Sequence, residues 1–162
     1  MAIAHGPVTQ VAWVTEDLDA TAALLSRGFG VGEWTRLPDV HFDPEHCTLH
    51  GRPADFVVHV ALAYAGDLQL ELIQPVRGES IYTEFLARSG PGLHHLCFEV
   101  DDMAAARGAA EVEGLEVVQA GSMMDGAMEF AYLDGRAHGV PYVELARIGP
   151  DLRTFFDAIR GA

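Results

Sequence analysis

The chain has 162 residues, of which 49% are hydrophobic and 21% charged, enough for one compact domain but too few for several. Its 24 acidic residues outnumber its ten basic ones, all of which are arginine, and the net charge is −14. This balance argues against nucleic acid or an anionic membrane surface as a partner, because both attract clustered cations. The lack of lysine excludes Schiff-base chemistry and a P-loop lysine.

The cysteines and the first residues give no indication of secretion. Cys47 and Cys97 are too few for a disulfide framework, and the first ten residues have no basic region followed by an apolar stretch. Every apolar run is of strand length, so we expect no membrane-spanning segment. A cytoplasmic protein is therefore predicted.

The first half of the chain predicts a strand, a helix and three strands. Residues 8–15 have the apolar and β-branched content of a strand. The Ala- and Leu-rich run that follows predicts a helix that begins at Asp17 or Asp19 and ends at Gly28 or Gly30. Further strands are predicted at 31–37, 55–65 and 68–74, with an irregular loop over 38–55.

Two sequence features predict where the last strands of this half turn and end. Gly66-Asp67 predicts a hairpin turn between the second and third of those strands, and Pro75 is expected to end their ladder. A short helix is predicted from Ser80 to Ala87.

The second half repeats the same order of elements. A strand is predicted at 93–100, and a helix at 103–114 begins after Asp101 or Asp102. Strands at 115–121, 127–134 and 141–147 follow. The residues after Pro150 have their apolar side chains at helical spacing, which predicts a C-terminal helix.

The chain therefore contains two βαβββ units, and aligning them pairs four polar residues. Gln10 aligns with His95, 85 residues later, and Glu71 aligns with Glu144, 73 residues later. Two units of this size must pack together to bury a core, which predicts a single α+β domain over 1–162. The predicted parts are a first module at 7–75, a linker at 76–92, a second module at 93–147 and a C-terminal helix at 148–162.

Both glutamates lie in the middle of apolar strands. Glu71 lies between Leu70 and Leu72, and Glu144 occupies the equivalent place in the last strand. A buried carboxylate is costly unless it is paired or binds a cation. Because strand side chains alternate between faces, each glutamate can point away from its apolar neighbours, and a pseudo-twofold relation would bring all four polar residues to one point.

These segments together resemble the vicinal oxygen chelate superfamily, which includes glyoxalase I, bleomycin resistance proteins and methylmalonyl-CoA epimerases. The resemblance rests on the segments TQVAWVTEDLDAT, FGVGEW, LQLELIQP, GPGLHHLCFEVDD and VPYVELAR, spread over about 7–147. It implies a curved mixed sheet from paired βαβββ units and one divalent metal, which the donor types suggest is Zn²⁺, Co²⁺, Ni²⁺ or Mn²⁺. Carried over to this chain, the metal ligands would be Gln10, Glu71, His95 and Glu144.

The function that this resemblance implies is that of a metal-dependent isomerase, epimerase or lyase. The metal would polarise a carbonyl of a small carbonyl compound or thioester, and Glu144 or Glu71 would move the neighbouring proton. His59 is a second candidate for acid–base chemistry or substrate contact. A homodimer is also expected, because open sheets of this kind have edges to protect.

The alternative is a non-catalytic protein that sequesters an apolar or aromatic small molecule in the concave sheet. It is favoured by Gln10, which is a weak neutral ligand, and by the aromatic residues Trp13, Trp34, Phe56, Tyr64 and Phe98, which are expected to line the sheet. The histidines at 41, 46 and 50 match no zinc-site spacing and are predicted to be solvated loop residues. Because His94 and His95 are adjacent in a strand, only His95 is expected to face the site.

Overall fold

The computed structural model describes residues 1–162, which form ten strands, four α-helices and one 3₁₀ turn. No helix is both long and apolar enough to cross a bilayer. The strands are β1 Val8–Val14, β2 Thr35–Phe42, β3 Cys47–Leu49, β4 Arg52–Pro53, β5 Phe56–Ala65, β6 Leu68–Arg77, β7 Gly92–Glu99, β8 Val117–Met123, β9 Met128–Asp134 and β10 Tyr142–Ile148. The helices are α1 Leu18–Phe29, α2 Ile81–Ser89, α3 Met103–Val112 and α4 Pro150–Arg160, with the 3₁₀ turn at Arg136–His138.

All ten strands belong to one curled mixed sheet, which confirms the predicted fold class. The strand order is β2-β5-β6-β1-β7-β10-β9-β8-β3-β4. The first βαβββ unit supplies β2, β5, β6 and β1, and the second supplies β7, β10, β9 and β8 in the mirrored order. The first and last strands of each unit are therefore the four central strands of the sheet.

The two units join through an antiparallel pairing of β1 with β7. Gln10 pairs with Cys97, and Ala12 pairs with His95. Because Gln10 aligns with His95 and Ala12 with Cys97 in the repeat, this register is self-complementary, as at a twofold axis. Within each unit the first strand runs parallel to the last, which places Glu71 and Glu144 one strand to either side.

The helices α1 and α3 cover the convex face of the sheet. Leu18 and Ala22 of α1 pack against Ala61 and Leu72 of the strands beneath. Small residues allow the helix to approach closely, and α3 packs on the second unit in the same way through three alanines, Ala106, Ala109 and Ala110. Of the alternative N-caps, the structure shows Asp17 and Asp102, each of which accepts a backbone N–H of the first helical turn.

Three local predictions were wrong in their bounds. The strand expected at 31–37 is β2, which begins at Thr35 and continues to Phe42. The loop expected over 38–55 contains the rest of β2 and the short strands β3 and β4, which extend the sheet beyond β8. The ladder between β5 and β6 does not end at Pro75. The other neighbour of β6, β1, pairs with it only as far as Ile73, so the proline, which has no N–H, interrupts no hydrogen bond on that side.

Gly78 lies between β6 and α2, where the chain packs closely against the backbone at the start of β5. A Cβ there would lie 2.1 Å from the carbonyl oxygen of Asp55 and 2.7 Å from Cα of Phe56, and the backbone has φ +81°. We expect Gly78→Ala to lower the free energy of unfolding by about 3 kcal/mol or more, because backbone rather than a flexible side chain must shift. Chemical denaturation measures this loss.

The matched control is Gly30→Ala at the end of α1. Gly30 also has positive φ, +71°, but nothing lies within 4 Å of its added Cβ. Its cost is limited to the left-handed conformation, about 1 kcal/mol. Equal losses at the two glycines would contradict the steric argument.

Candidate functional site

The four residues predicted as metal ligands meet on the concave face of the four central strands. Nε2 of His95 lies 3.0 Å from Oε1 of Gln10, 3.1 Å from a carboxylate oxygen of Glu144 and 3.5 Å from one of Glu71. Strand alternation explains the convergence of the two glutamates, because their neighbours Leu72, Val143 and Leu145 pack with the helices on the convex side. All four residues belong to one chain, so no second subunit is needed to assemble the cluster.

The amide of Gln10 is held with its oxygen toward the cluster. Its Nε2 donates to Oε1 of Gln69 at 2.6 Å, and the Gln69 amide in turn donates to the hydroxyl of Tyr64 at 2.9 Å. Gln69 is buried and pairs with Gln10 across the parallel strands β1 and β6. This chain of hydrogen bonds presents Oε1 of Gln10 as an acceptor, which is the atom that a cation would bind.

Both histidines of the adjacent pair face the same side, contrary to the alternation argument. The β1–β7 register passes from Ala12–His95 to Trp13–Leu93, so His94 is the extra residue of a bulge. Nδ1 of His94 lies 2.9 Å from Nδ1 of His95, and one ring N–H is shared between them. His94 is thus the hydrogen-bond partner that orients the imidazole of His95.

The His94 ring is enclosed by aromatic side chains. It lies 4.7 Å from the Tyr142 ring and 5.1 Å from both Tyr82 and Phe85 of α2, measured between centroids. Burial, followed by the neighbouring charge of His95, lowers the pKa of His94 well below its ordinary value, so this ring is neutral. Its Nε2 is buried without a hydrogen-bond partner, so Nδ1 is the ring nitrogen through which His94 forms its hydrogen bond to His95.

The cluster carries an excess of negative charge in an enclosed place. Side chains of His95 and Glu144 are 0% and 4% exposed, and that of Glu71 is 15% exposed. Burial raises the pKa of Glu71 well above its ordinary value, and the nearby carboxylate of Glu144 raises it further. Two carboxylates, one amide oxygen and one imidazole nitrogen are a donor set that suits a divalent transition metal.

Two tyrosines stand beside the cluster: Tyr132, whose place in a strand made a cavity-lining position possible, and Tyr82, which the sequence did not single out. The hydroxyls of Tyr82 and Tyr132 are 2.8 Å apart, and the ring of Tyr132 lies 5.0 Å from that of His95. Burial, and then the carboxylates of the cluster, raise the pKa of both phenols well above the ordinary value, so both are neutral donors. Tyr82 belongs to α2, which no strand pattern could place against the sheet.

The cluster forms the polar part of a cavity of about 340 Å³. Sixteen of its 19 lining residues are hydrophobic, and Gln10, Glu71 and Glu144 are the three others. The helix α4 contributes Leu152, Phe155 and Phe156 to the wall. The remaining lining residues are Leu37, Val40, Phe42, Val58, Val60, Leu62, Ile73, Tyr82, Met123, Met124, Met128, Phe130 and Tyr132.

His59 does not lie in this cavity, and the expectation that it faces the site was wrong. Val58 and Val60 line the cavity, so alternation directs His59 to the convex side, where its Nδ1 accepts the backbone N–H of Asp39 at 3.0 Å. The hairpin turn at Gly66-Asp67 fixes which face of the sheet His59 lies on. It pairs Leu62 with Glu71 and therefore pairs His59 with Gln74, an odd number of residues from Glu71.

The aromatic lining also differs from the prediction. None of Trp13, Trp34, Phe56, Tyr64 and Phe98 lines the cavity. Trp13 and Trp34 pack with α1 on the convex side, and Phe98 packs with the α3 cluster. The aromatic wall instead comes from β2, β9, α2 and α4, which the sequence did not bring together.

The remaining histidines of the 38–55 segment are half-exposed and paired with carboxylates, as expected for surface residues. His41 contacts Asp55, and His50 contacts Glu84. The side chain of His46 lies 2.9 Å from Asp43. With Glu45 these two form a surface cluster whose ligand atoms lie within 4.8 Å of one another, which is common among exposed acidic groups.

The sequence resembles known proteins over most of its length. Residues 9–132 match the family described as the Glyoxalase/Bleomycin resistance protein/Dioxygenase superfamily. The chain is 30% identical over 125 residues to an ethylmalonyl-CoA/methylmalonyl-CoA epimerase of Cereibacter sphaeroides, which covers 75% of this chain and 81% of that protein. It is 30% identical over 104 residues to the mitochondrial methylmalonyl-CoA epimerase of Mus musculus, covering 62% of this chain and 49% of that one.

Solved structures share the fold. A methylmalonyl-CoA epimerase from Mycobacterium tuberculosis matches with a TM-score of 0.66 at 19% identity, over 95% of both chains. A methylmalonyl-CoA epimerase in complex with methylmalonyl-CoA and NH4+ matches with a TM-score of 0.64 at 22% identity, over 88% of this chain and 94% of that one.

The raised pKa of Glu71 predicts a pH dependence of stability in the presence of a chelator. Glu71 ionises near 4.5 in the unfolded chain but keeps its proton to higher pH in the folded one. Between these two pKa values the folded state binds more protons, so stability falls as pH rises. We expect Glu71→Gln to match the wild-type protein near pH 4.5 and to exceed it increasingly toward neutral pH, measured by denaturation in EDTA.

The control is Glu111→Gln, an exposed position on α3. Its stability relative to the wild-type protein should stay constant across the same range. A constant difference between Glu71→Gln and the wild-type protein would show that folding does not disfavour the ionised form of Glu71.

Proposed function

Because the chain belongs to the glyoxalase/bleomycin resistance protein/dioxygenase superfamily, we propose that it is a metal-dependent epimerase that moves the proton next to a thioester carbonyl. One observation carries the proposal. Donor atoms of Gln10, Glu71 and Glu144 lie within 3.5 Å of Nε2 of His95 at one end of a substrate-sized cavity. The similarity to epimerases of malonyl-type CoA thioesters supports the reaction class.

The donor set fits a divalent metal on chemical grounds. The two carboxylates balance the charge of a dication, and donors bound at about 2.0–2.2 Å lie roughly 3–4 Å apart, as these do. Bound there, a divalent metal supplies a Lewis acid for the substrate carbonyl. The hydrogen bond that Gln10 donates to Gln69, and the one that Nδ1–H of a metal-binding His95 would donate to Nδ1 of His94, would keep the two neutral ligands oriented.

Glu71 is the better candidate for the group that moves the proton. Both glutamates line the cavity, but Glu144 lies closer to His95 and its side chain is only 4% exposed, whereas the side chain of Glu71 is 15% exposed. A carboxylate in an enclosed, apolar site is a stronger base than one in water. An oxygen of Glu71 would accept the proton from one face of the substrate carbon. Inversion then requires a proton on the opposite face, and the carboxyl group of Glu144, on the other side of the cluster, is the candidate to supply it.

The neutral phenols of Tyr82 and Tyr132 complete the environment of the reacting carbon. Their hydroxyls are hydrogen-bonded to each other within the wall of the cavity, beside the carboxylates. One hydroxyl donates within this pair, and the other, in a site shielded from water, would donate to a substrate oxygen on which negative charge develops.

Metal binding is the first test. We expect about one divalent transition metal per chain in protein purified without chelator or affinity metal, and at least a 100-fold weaker affinity for Co²⁺ in His95→Asn and in Glu144→Gln. Elemental analysis and calorimetric titration measure these quantities. His59→Asn on the convex side is the matched control and should keep its metal; full metal content in His95→Asn would refute the proposed ligand set.

Proton exchange is the second test. With methylmalonyl-CoA or ethylmalonyl-CoA in D₂O, we expect Co²⁺-loaded protein to introduce deuterium at the carbon next to the thioester, and mass spectrometry follows it. Glu71→Gln should reduce the rate at least 100-fold because it removes the proposed base, whereas Glu129→Gln, an exposed control, should not. Ligand binding with no exchange above the uncatalysed rate would favour the sequestration function instead.

A further inference from the structure

The wall of the cavity is far more apolar than a small malonyl group requires. The two glutamates of the cluster are its only ionisable carboxylates, and no arginine or histidine side chain lines it. A carboxylate or phosphate of a ligand would therefore find no cation from the protein along this wall. Only an uncharged, apolar group is stabilised there.

The size of the cavity indicates the size of that group. A water molecule takes up about 30 Å³ in the liquid, and a methyl group is comparable, so a methyl or ethyl branch would fill only a small part of the 340 Å³. A cavity that remains unfilled loses contacts on all its walls. The available space corresponds to a chain or ring of several carbon atoms.

The side chains of the wall suit such a group. Met123, Met124 and Met128 line one side, and their unbranched, polarisable side chains adapt to the shape of an apolar ligand. Phe155 and Phe156 of α4 lie on the wall as well, and aromatic rings provide large apolar contact areas. The wall is continuous with the donor cluster, so one ligand can reach both.

We propose that the natural substrate joins two oxygens that chelate the metal to an uncharged apolar substituent of about four to eight carbon atoms, which occupies this cavity. The inference rests on the proposed function for the chelating end of the substrate. The apolar end rests on the cavity alone.

Alkyl hydroxamates of increasing chain length test the two ends separately, because their two oxygens chelate divalent metals. Calorimetry is carried out on the wild-type protein with Co²⁺ and again with EDTA, using the two-carbon to eight-carbon compounds. Burial of each methylene strengthens binding about fourfold until the cavity is full. We expect the eight-carbon compound to bind at least 100-fold tighter than the two-carbon compound, which is about the gain from burying three to four of the six added methylenes. The same chain-length dependence is expected in EDTA at lower overall affinity.

The outcomes separate the two proposals. A gain with Co²⁺ but no dependence on chain length overturns the substrate inference and leaves the metal site. A dependence on chain length with no gain from Co²⁺ supports the apolar site and refutes the metal-dependent function. Equal, weak binding of all compounds under both conditions refutes both.

Variants test whether the chain occupies this cavity rather than another surface. Val60→Phe adds a ring to the wall and should reduce the preference for the eight-carbon compound at least tenfold, with the two-carbon compound unaffected. Val112→Phe, 85% exposed on α3, is the matched control and should keep the preference. Phe155→Ala removes a partly exposed ring of the wall without endangering the fold, and should reduce the preference for the eight-carbon compound several-fold. If the preference is unchanged in both Val60→Phe and Phe155→Ala, the alkyl chain does not occupy this cavity.

Discussion

The antiparallel pairing of β1 with β7 is the interaction on which the rest of the structure depends. It joins the two βαβββ units edge to edge and places β6, β1, β7 and β10 side by side. Its self-complementary register sets Gln10 and His95 two residues apart across the strands, so that both point to the same side. If the register slipped by one residue, one unit would turn its polar residue into the helix-covered face and its apolar residues into the cavity.

The curled sheet separates two environments that a flat sheet could not provide. On the convex face, alanine-rich helices cover apolar side chains in dry contact. On the concave face, the same strands present polar donors at the centre and apolar residues toward the edges. The helix α2 packs against the central strands β6, β1 and β7, and α4 packs against β5. The carboxylates are consequently shielded from water but not from a ligand, which raises the pKa of Glu71 and prepares the cluster for a cation.

The surroundings of the cluster show why its ligands are not the whole site. Gln69, on the neighbouring strand, orients Gln10, and His94, the adjacent residue in the same strand, orients His95, in each case through one hydrogen bond. The bulge in β7 is essential to the second of these contacts, because a regular strand would direct His94 away from His95. The two halves thus share a frame but have diverged in the residues that support each ligand.

The sequence alone determined the duplicated βαβββ order and the four residues of the cluster, because the period of two along a strand and the alignment of a repeat are local properties. The hairpin turn at Gly66-Asp67 also carried the information that places His59, but the sequence did not determine the bulge at His94 or the wall of the cavity. Those depend on which strands pair, in what register, and on where α2 and α4 pack, and such contacts join residues far apart in the chain. The tertiary structure decided them, since only the curled sheet with its helices in place determines which apolar residues face a helix and which face the cavity.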